Sequence, residues 1–537
     1  MTQATRSAHV DTFTRENLPL QEAWPEFLFA LPELQYPARL NCAAELLDRH
    51  VEAGNGARRC IVTDTETWTY ADLLKRSNQV AHALVHEMGL VPGNRVLLRG
   101  PNNPWLVAAW FGVLKAGGVA VTTMPLLRAG ELRTVTDIAE VTLAVCDHRF
   151  VADLDAAAIP GLTTMLYGGS KQDDLTQLAA HKPAQLQNVA TAADDVCMLA
   201  FTSGTTGKPK ATMHFHRDVL AIADTFSLHV LHPTGDDLFA GSPPLAFTFG
   251  LGQAVVFPLR AGAATYLLEQ PSPAALLAAI DAHRITVLAT APTAYRAMIP
   301  DLRAANVTSL RACVSAGETL PKATWDAVHE ASGIRLIDGI GSTEMLHIFI
   351  SAAGDEIRPG STGRAVAGYV GEVQDANGHQ VPVGELGRLA VKGPTGCRYL
   401  RGDRQASYVR DGWNITGDVY AQDADGYFHY QARADDMIVS SGYNIAGPEV
   451  EEALLRHPGV AETAVIGVPD EDRGMIVKAV VVLRPGAELG PEPAKTLQDF
   501  VKSQIAPYKY PRVVEFADVL PRTATGKLQR FRLREGS

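Results

Sequence analysis

The chain has 537 residues, 46% of them hydrophobic, with a formal net charge of −11. That length admits a large core and more than one domain, and the acidic balance argues against nonspecific nucleic-acid binding. Six cysteines stand far apart with no C-x-x-C pair, which points to a reduced, cytoplasmic setting and away from a structural zinc.

Residues 1–40 carry Pro19, Pro25, Pro32 and Pro37 among scattered aromatics and read as an extended lead-in packed on the body. Its first twenty residues lack the apolar stretch of a signal peptide. Residues 41–53 have helical apolar spacing with Asn41 as N-cap. Residues 60–63 and 67–70 read as a hairpin, and a helix runs from there to about Met88. Residues 94–98 and 119–123 are strands flanking a helix over 104–116, which Gly117 and Gly118 stop. The most apolar long stretch, 106–127, is broken by Lys115 and those glycines, so it reads as core and not as a membrane span. A helix over 131–139 and a strand over 143–146 repeat the unit. This alternation predicts an α/β fold with a parallel sheet covered on both faces.

The apolar run 195–201 reads as a buried strand, and it delivers T-S-G-T-T-G-K-P-K at 202–210. Gly204 and Gly207 permit a tight turn and a close approach to a ligand. The hydroxyls and exposed N–H groups between them suit phosphate oxygens, and Lys208 and Lys210 add charge. The spacing is not that of the common P-loop, and composition alone would also allow a surface turn. A helix over 216–228 would aim its first N–H groups at a bound anion. His214 and His216 show no third ligand, so no metal site is read there.

Residues 242–252 hold Phe247, Thr248, Phe249 and Gly250 and read as a loop against a flat apolar ligand, or equally as core packing. A strand over 284–290 follows, then a strand and turn over 310–318. Residues 336–344 end in Gly341-Ser342-Thr343-Glu344, where a carboxylate suits a hard cation, although the same residues could form a helix cap. His347, on an apolar stretch, is more often a satisfied core residue. Residues 448–451 open a helix with acids in its first turn, as the dipole favours, and 464–468 and 476–482 are strands. Lys527 alone would pass as solvated surface.

Taken in order, T-S-G-T-T-G-K-P-K, S-x-G-E at 315–318, G-S-T-E at 341–344, W-x-x-T-G-D at 413–418 and P-R-T-A-T-G-K at 521–527 resemble the adenylate-forming superfamily. That superfamily holds acyl- and aryl-CoA synthetases, peptide-synthetase adenylation domains and firefly-type luciferases. The resemblance runs from about residue 40 to the C-terminus. It implies a large domain of layered parallel-rich sheets and helices over 1–434, and a small mobile α+β lid over 435–537 with its hinge near Asp435. It implies ATP, Mg²⁺ and coenzyme A as the ligands.

By the same resemblance, Thr202, Ser203, Gly204, Thr205, Thr206, Gly207 and Lys208 cradle phosphates, and Glu344 with Thr205 holds Mg²⁺. Gly317, Glu318, Asp338 and Ile340 line the adenine, Ile340 standing where the family usually has an aromatic. Thr343 bonds phosphate, Asp418 and Arg433 bond ribose, Gly442 lies along the pantetheine, and Lys527 reaches the carboxylate and α-phosphate. No side-chain nucleophile is implied.

M-L-H-I-F at 345–349 is similar to the benzoate and 2-aminobenzoate CoA ligase branch. There Phe247, Thr248, Phe249 and Gly250 form one wall of the acyl pocket, with Gly341, His347 and Ile348 completing it. His214 would lie near its entrance. A Thr248 hydroxyl could partner an ortho amino group, and the segments 31–37 and 100–104 also look like the 2-aminobenzoate subgroup. The expected acid is therefore 2-aminobenzoate, with benzoate as the alternative. The chain ends ten residues past Lys527 with no carrier domain, so free coenzyme A is the expected thiol. Neither nucleic acid nor membrane is expected as a partner, and analogy admits a homodimer. A luciferase-like monooxygenase and a nucleotide-binding protein without catalysis are the rival readings.

Overall fold

The computed structural model describes residues 6–535 apart from 203–208, 403, 441–442, 471–472, 488, 506 and 524–527. Two sheets form the large body. In the first, strands Thr163–Tyr167, Leu143–Asp147, Arg95–Arg99, Val119–Thr123 and Val196–Thr202 lie parallel in that order, and Lys210–Phe215 closes the edge antiparallel. Leu143–Asp147 and Arg95–Arg99 are buried at every position, which requires cover on both faces.

The second sheet has nine strands, in the order Arg364–Ala365, Ile348–Ser351, Leu336–Gly341, Ala312–Ala316, Val287–Thr290, Leu238–Gly241, Ala264–Tyr266, Arg59–Val62 and Thr67–Thr69. Its middle is parallel from Leu336–Gly341 to Arg59–Val62. Helices Tyr70–Met88 and Pro104–Lys115 join the core shared by the two sheets. Thr69 and Asp72 form a capping box on the first helix, and Asn103 caps the second with Pro104 at its first position. A Cβ at Gly112 would lie 2.6 Å from Val80, so glycine is what lets these helices meet.

An antiparallel sheet of Val370–Gln374, Leu386–Lys392, Trp413–Gln422, Val409–Arg410 and Phe428–Arg433 packs beside the body. The C-terminal region builds its own sheet from Tyr443–Ala446, Met437–Ser440, Gly474–Leu483, Val460–Asp470 and Val513–Phe516. Helices Gly447–Leu455 and Pro493–Gln504 cover it, and Val450, Leu454, Val465, Val477 and Leu497 share a separate core. Among the described residues no helix is long and apolar enough to cross a membrane.

Three expectations change. The helix near residue 41 winds widely, with π-turns over Ala44–Asp48 and Val51–Asn55. The helix His216–Ile222 continues as a π-helix to Leu231. The segment 242–252 is a loop only to Phe247. From Thr248 the chain is helical through Arg260, in three contiguous pieces.

Candidate active site

The body delivers several loops to one end of its parallel strands, where ligands of open α/β sheets gather. Val196–Thr202 pairs Thr202 with Lys210, the residues that flank 203–209. In the second sheet Ala316 pairs with Gly339, which sets Gly317 and Glu318 beside the segment holding Asp338, Ile340 and Gly341. Gly317 has φ of +89° and open space where a Cβ would stand. Ile340 is half-buried against the main core, leaving an aliphatic surface. Ser203, Gly204, Thr205, Thr206, Gly207, Lys208, Gly442 and Lys527 lie outside the described residues.

The polar groups on this side hold one another. Tyr399 donates its hydroxyl to Glu344 Oε1 at 2.6 Å, and the Lys210 ammonium lies 5.2 Å from the centre of the Tyr399 ring. Lys210 has its pKa lowered, first by desolvation and then by the nearby Arg404 charge. Ser342 Oγ meets the Tyr408 hydroxyl at 3.0 Å. Asp418 Oδ1 accepts from Arg433 Nη1 at 2.9 Å across paired strands, and Arg433 also donates to the Thr416 carbonyl at 3.2 Å. Asp338 breaks the pattern, because desolvation lifts its carboxyl to about 8 against a weaker opposing bond from the Gly339 backbone.

The expected acyl wall is apolar and aromatic. His347 is buried, with ring centroids of Phe257, Phe226 and Phe249 at 4.6, 5.4 and 5.7 Å. Burial drives its pKa down to about 3, so the imidazole is neutral, and neither ring nitrogen meets a partner in good geometry. A Cβ at Gly252 would fall 2.4 Å from the His347 ring, and one at Gly250 would fall 2.1 Å from the Pro244 carbonyl. These glycines are what permit a helix here. Gly341 backs onto the His347 carbonyl, and Ile348 is buried over Gly339. Thr248 is buried at the helix start behind half-buried Phe247. One turn past Phe249 lies buried Gln253, with both amide atoms unpartnered.

The anion site expected at the start of helix 216 is taken by the protein itself. Asp218 accepts from the Phe215 N–H at 2.9 Å, while His216 and Arg217 donate to carbonyls of Asp195 and Ala193. Asp218 in turn forms a fully buried ion pair with Arg398. Burial lifts the Asp218 carboxyl, and the Arg398 charge offsets part of that. His214 is not at a pocket entrance: it is fully buried, 3.0 Å from Thr212 Oγ1, beneath the Thr343 carbonyl. His216 instead joins Cys42 and Cys197 in a buried cluster within 4.8 Å, and among the described residues no fourth metal-ligating side chain joins them.

Tyr399, Tyr408, Phe226, Phe257 and Gln253 are absent from the sequence reading of the site. Tyr399 arrives because Met213 donates to the Arg398 carbonyl and Leu400 to that of Ala211, stitching 398–400 onto the edge strand. The one signal in sequence is Gln253, a lone amide in an apolar run.

Residues 47–399 match the AMP-binding enzyme family, and residues 449–527 match the AMP-binding enzyme C-terminal domain. The chain is 35% identical to a benzoate–CoA ligase of Thauera aromatica over 94% of this chain and 97% of that one. Its fold is similar to the crystal structure of the anthranilate CoA ligase AuaEII in complex with anthranoyl-AMP. That likeness has a TM-score of 0.90 and 32% identity, over 94% of this chain and 99% of that one. A benzoate CoA ligase from Burkholderia xenovorans LB400 matches with a TM-score of 0.84 and 33% identity, over 92% and 100%.

Proposed function

The chain belongs to the AMP-binding enzyme family, and from that premise we propose that it is an aryl-CoA ligase whose preferred acid is 2-aminobenzoate. As an acid–thiol ligase it uses ATP and coenzyme A, forms an acyl-adenylate and releases AMP and pyrophosphate. The observation that supports the choice of acid is the cluster of rings around buried His347. Three phenylalanine rings surround a neutral imidazole, and the buried Thr248 and Gln253 stand on successive pieces of the helical run beside it. An ortho amino group brings donors to a wall whose polar atoms otherwise lack partners, and an unmet buried group costs about 1–3 kcal/mol.

A carboxylate is a poor acyl donor because its charge shields the carbon and O²⁻ does not leave. Attack of one carboxylate oxygen on the α-phosphorus expels pyrophosphate and creates a leaving group. The chain contributes placement and charge. By the family resemblance, donors of 202–208 and Thr343 would bind the phosphates, the Asp418–Arg433 pair the ribose, and Lys527 the α-phosphate. Glu344 presents a carboxylate fixed by Tyr399, a ligand that suits Mg²⁺, and with Thr205 it would hold the ion. Bound there, such an ion would supply neutralisation of phosphate charge. Holding acid and phosphorus in line supplies up to about 7–11 kcal/mol of the barrier. In the second step the lid turns about Asp435, Lys527 withdraws, and Gly442 admits the pantetheine whose thiol attacks the carbonyl and expels AMP.

The test is a panel of aryl acids assayed for CoA- and ATP-dependent AMP production by the purified protein. The expected leader is 2-aminobenzoate. Benzoate preferred by a wide margin would end that choice and favour the alternative, which the Thauera relative supports.

A further inference from the structure

Cys42, Cys197 and His216 meet in the core near the start of strand Val196–Thr202, whose other end bears the candidate nucleotide site. All three are 0% exposed, and their sulfur and nitrogen ligand atoms lie within 4.8 Å of one another. His216 Nδ1 is 3.2 Å from Cys42 Sγ. The Cys42 N–H donates to the same nitrogen, also at 3.2 Å. Nδ1 therefore carries a lone pair turned toward Cys42, and the ring proton belongs on Nε2.

The backbone aims each of the three. Asn41 accepts from the Ala43 N–H at 3.1 Å and donates to the Leu114 carbonyl at 2.8 Å, which fixes the turn holding Cys42. Cys197 stands at a register shift between its strand and Lys210–Phe215. Val196 pairs with Phe215 and Met198 with His214, so Cys197 is the extra residue of a bulge, a device that re-aims a side chain. His216 begins its helix, and its N–H donates to the Asp195 carbonyl at 3.3 Å. Three segments remote in sequence thus bring two thiols and an imidazole to one point.

That spacing fits a metal. An ion holding sulfurs at about 2.3 Å and a nitrogen at about 2.0–2.1 Å sets those atoms roughly 3.5–4 Å apart. The cluster brackets that range, with 3.2 Å between Cys42 and His216 and no separation above 4.8 Å. Thiolate and imidazole favour soft cations over Mg²⁺ or Ca²⁺. Three ligands suffice for Cu(I). Zn(II) takes a fourth, which the His214 carbonyl, 3.5 Å from Cys197 Sγ, can supply.

We propose that Cys42, Cys197 and His216 form a site for one soft d¹⁰ cation, Cu(I) or Zn(II), which ties residue 42 and helix His216–Ile222 to strand Val196–Thr202. Zn(II) displaces both thiol protons to solvent and Cu(I) displaces one, so either ion leaves the buried site neutral. The ion takes the Nδ1 lone pair in place of the long Cys42 N–H contact. The site is independent of the ligase reading, and its failure would leave that reading untouched.

The experiment uses the untagged full-length protein, purified without chelator from cells grown with added zinc or with added copper. Metal per chain is measured by plasma mass spectrometry in wild type, Cys42→Ser, Cys197→Ser and, as a control from elsewhere in the core, Cys60→Ser. Wild type and Cys60→Ser are expected to carry about one equivalent, and the growth arm that loads them identifies the ion. Cys42→Ser and Cys197→Ser should fall to about a tenth of that or less, since even an outer-shell change costs 10–100-fold in metal affinity. X-ray absorption at the metal edge should show two sulfurs at about 2.3 Å and one nitrogen at about 2.0–2.1 Å. Loaded wild type should melt above wild type from metal-poor medium, a shift absent from the two serine variants. Less than about a tenth of an equivalent in both arms, a first shell without sulfur, or loading unchanged in Cys197→Ser overturns the site. A wild type that titrates two thiols short of its six cysteines, with Cys42 and Cys197 joined as a disulfide, overturns it as well. The wild-type measurements decide the matter alone if a serine variant does not fold.

Discussion

The two sides of the candidate site solve the same problem in opposite ways. On the nucleotide side the charged and hydroxyl groups are paired with each other: Glu344 with Tyr399, Asp418 with Arg433, Ser342 with Tyr408. On the acyl side, both amide atoms of buried Gln253 lack a partner, and the buried His347 ring nitrogens meet none in good geometry. Paired groups are held in place before any ligand arrives, and a ligand only exchanges one partner for another. Unpaired buried groups lose stability while they wait, and regain it when a fitting molecule enters. On the proposed reading, nucleotide chemistry falls to the first side and choice of acid to the second.

The largest expected effect tests the prepaid side. Glu344→Gln should lower the adenylation rate about 10²–10³-fold with the far-UV spectrum and melting temperature unchanged. A loss that tracked unfolding instead would make the carboxylate merely structural. Next, Asp418→Asn leaves Arg433 without its counter-charge and should raise KM for ATP about tenfold, with a smaller change in kcat. Equal KM in variant and wild type would remove the ribose assignment.

The acyl side should respond with the opposite sign on stability. Gln253→Leu replaces an unpartnered amide with an apolar group of similar size and is expected to add about 1 kcal/mol of stability. The same change should reduce the preference for 2-aminobenzoate over benzoate several-fold. A drop in melting temperature would mean the amide is satisfied after all, and the contrast between the two sides would fail.

Asp338, the exception on the nucleotide side, should show itself in the pH dependence of stability. Its pKa rises from 3.8 to about 8 on folding, so the folded state binds the proton more tightly between those values. Stability should then decline as pH climbs through that window, and Asp338→Asn should remove that slope from urea titrations at pH 5 and pH 8.

The strands Val196–Thr202 and Ala312–Ala316 are legible in sequence because each is a mainly apolar run ended by a glycine or hydroxyl turn, whereas Leu336–Gly341, interrupted by Asp338, is legible only as a motif. Asp418 and Arg433 are legible as motif residues, but not their mutual bond, which depends on a strand register. Tyr399 is invisible for the same reason: its approach to Glu344 depends on 398–400 lying along a strand nearly two hundred residues earlier. The helix from Thr248 hides behind Gly250 and Gly252, which local propensity reads as breakers. Tertiary contact with His347 and Pro244 overrules that preference. The start of helix 216 misleads in the other direction, since nothing local reveals that Asp218 already caps it.

The topology of the nine-stranded sheet also bears on how the molecule is made. Strand Arg59–Val62 finds its parallel neighbour only at Ala264–Tyr266. The ribosome must add about two hundred residues in between, which at roughly 5–20 residues per second takes some 10–40 s. For that interval an apolar strand has one hydrogen-bonding side bare, a surface open to other nascent chains. Yield in a host should therefore respond to growth temperature and chaperone supply more than to substitutions in the lid, whose small core assembles from residues close in sequence.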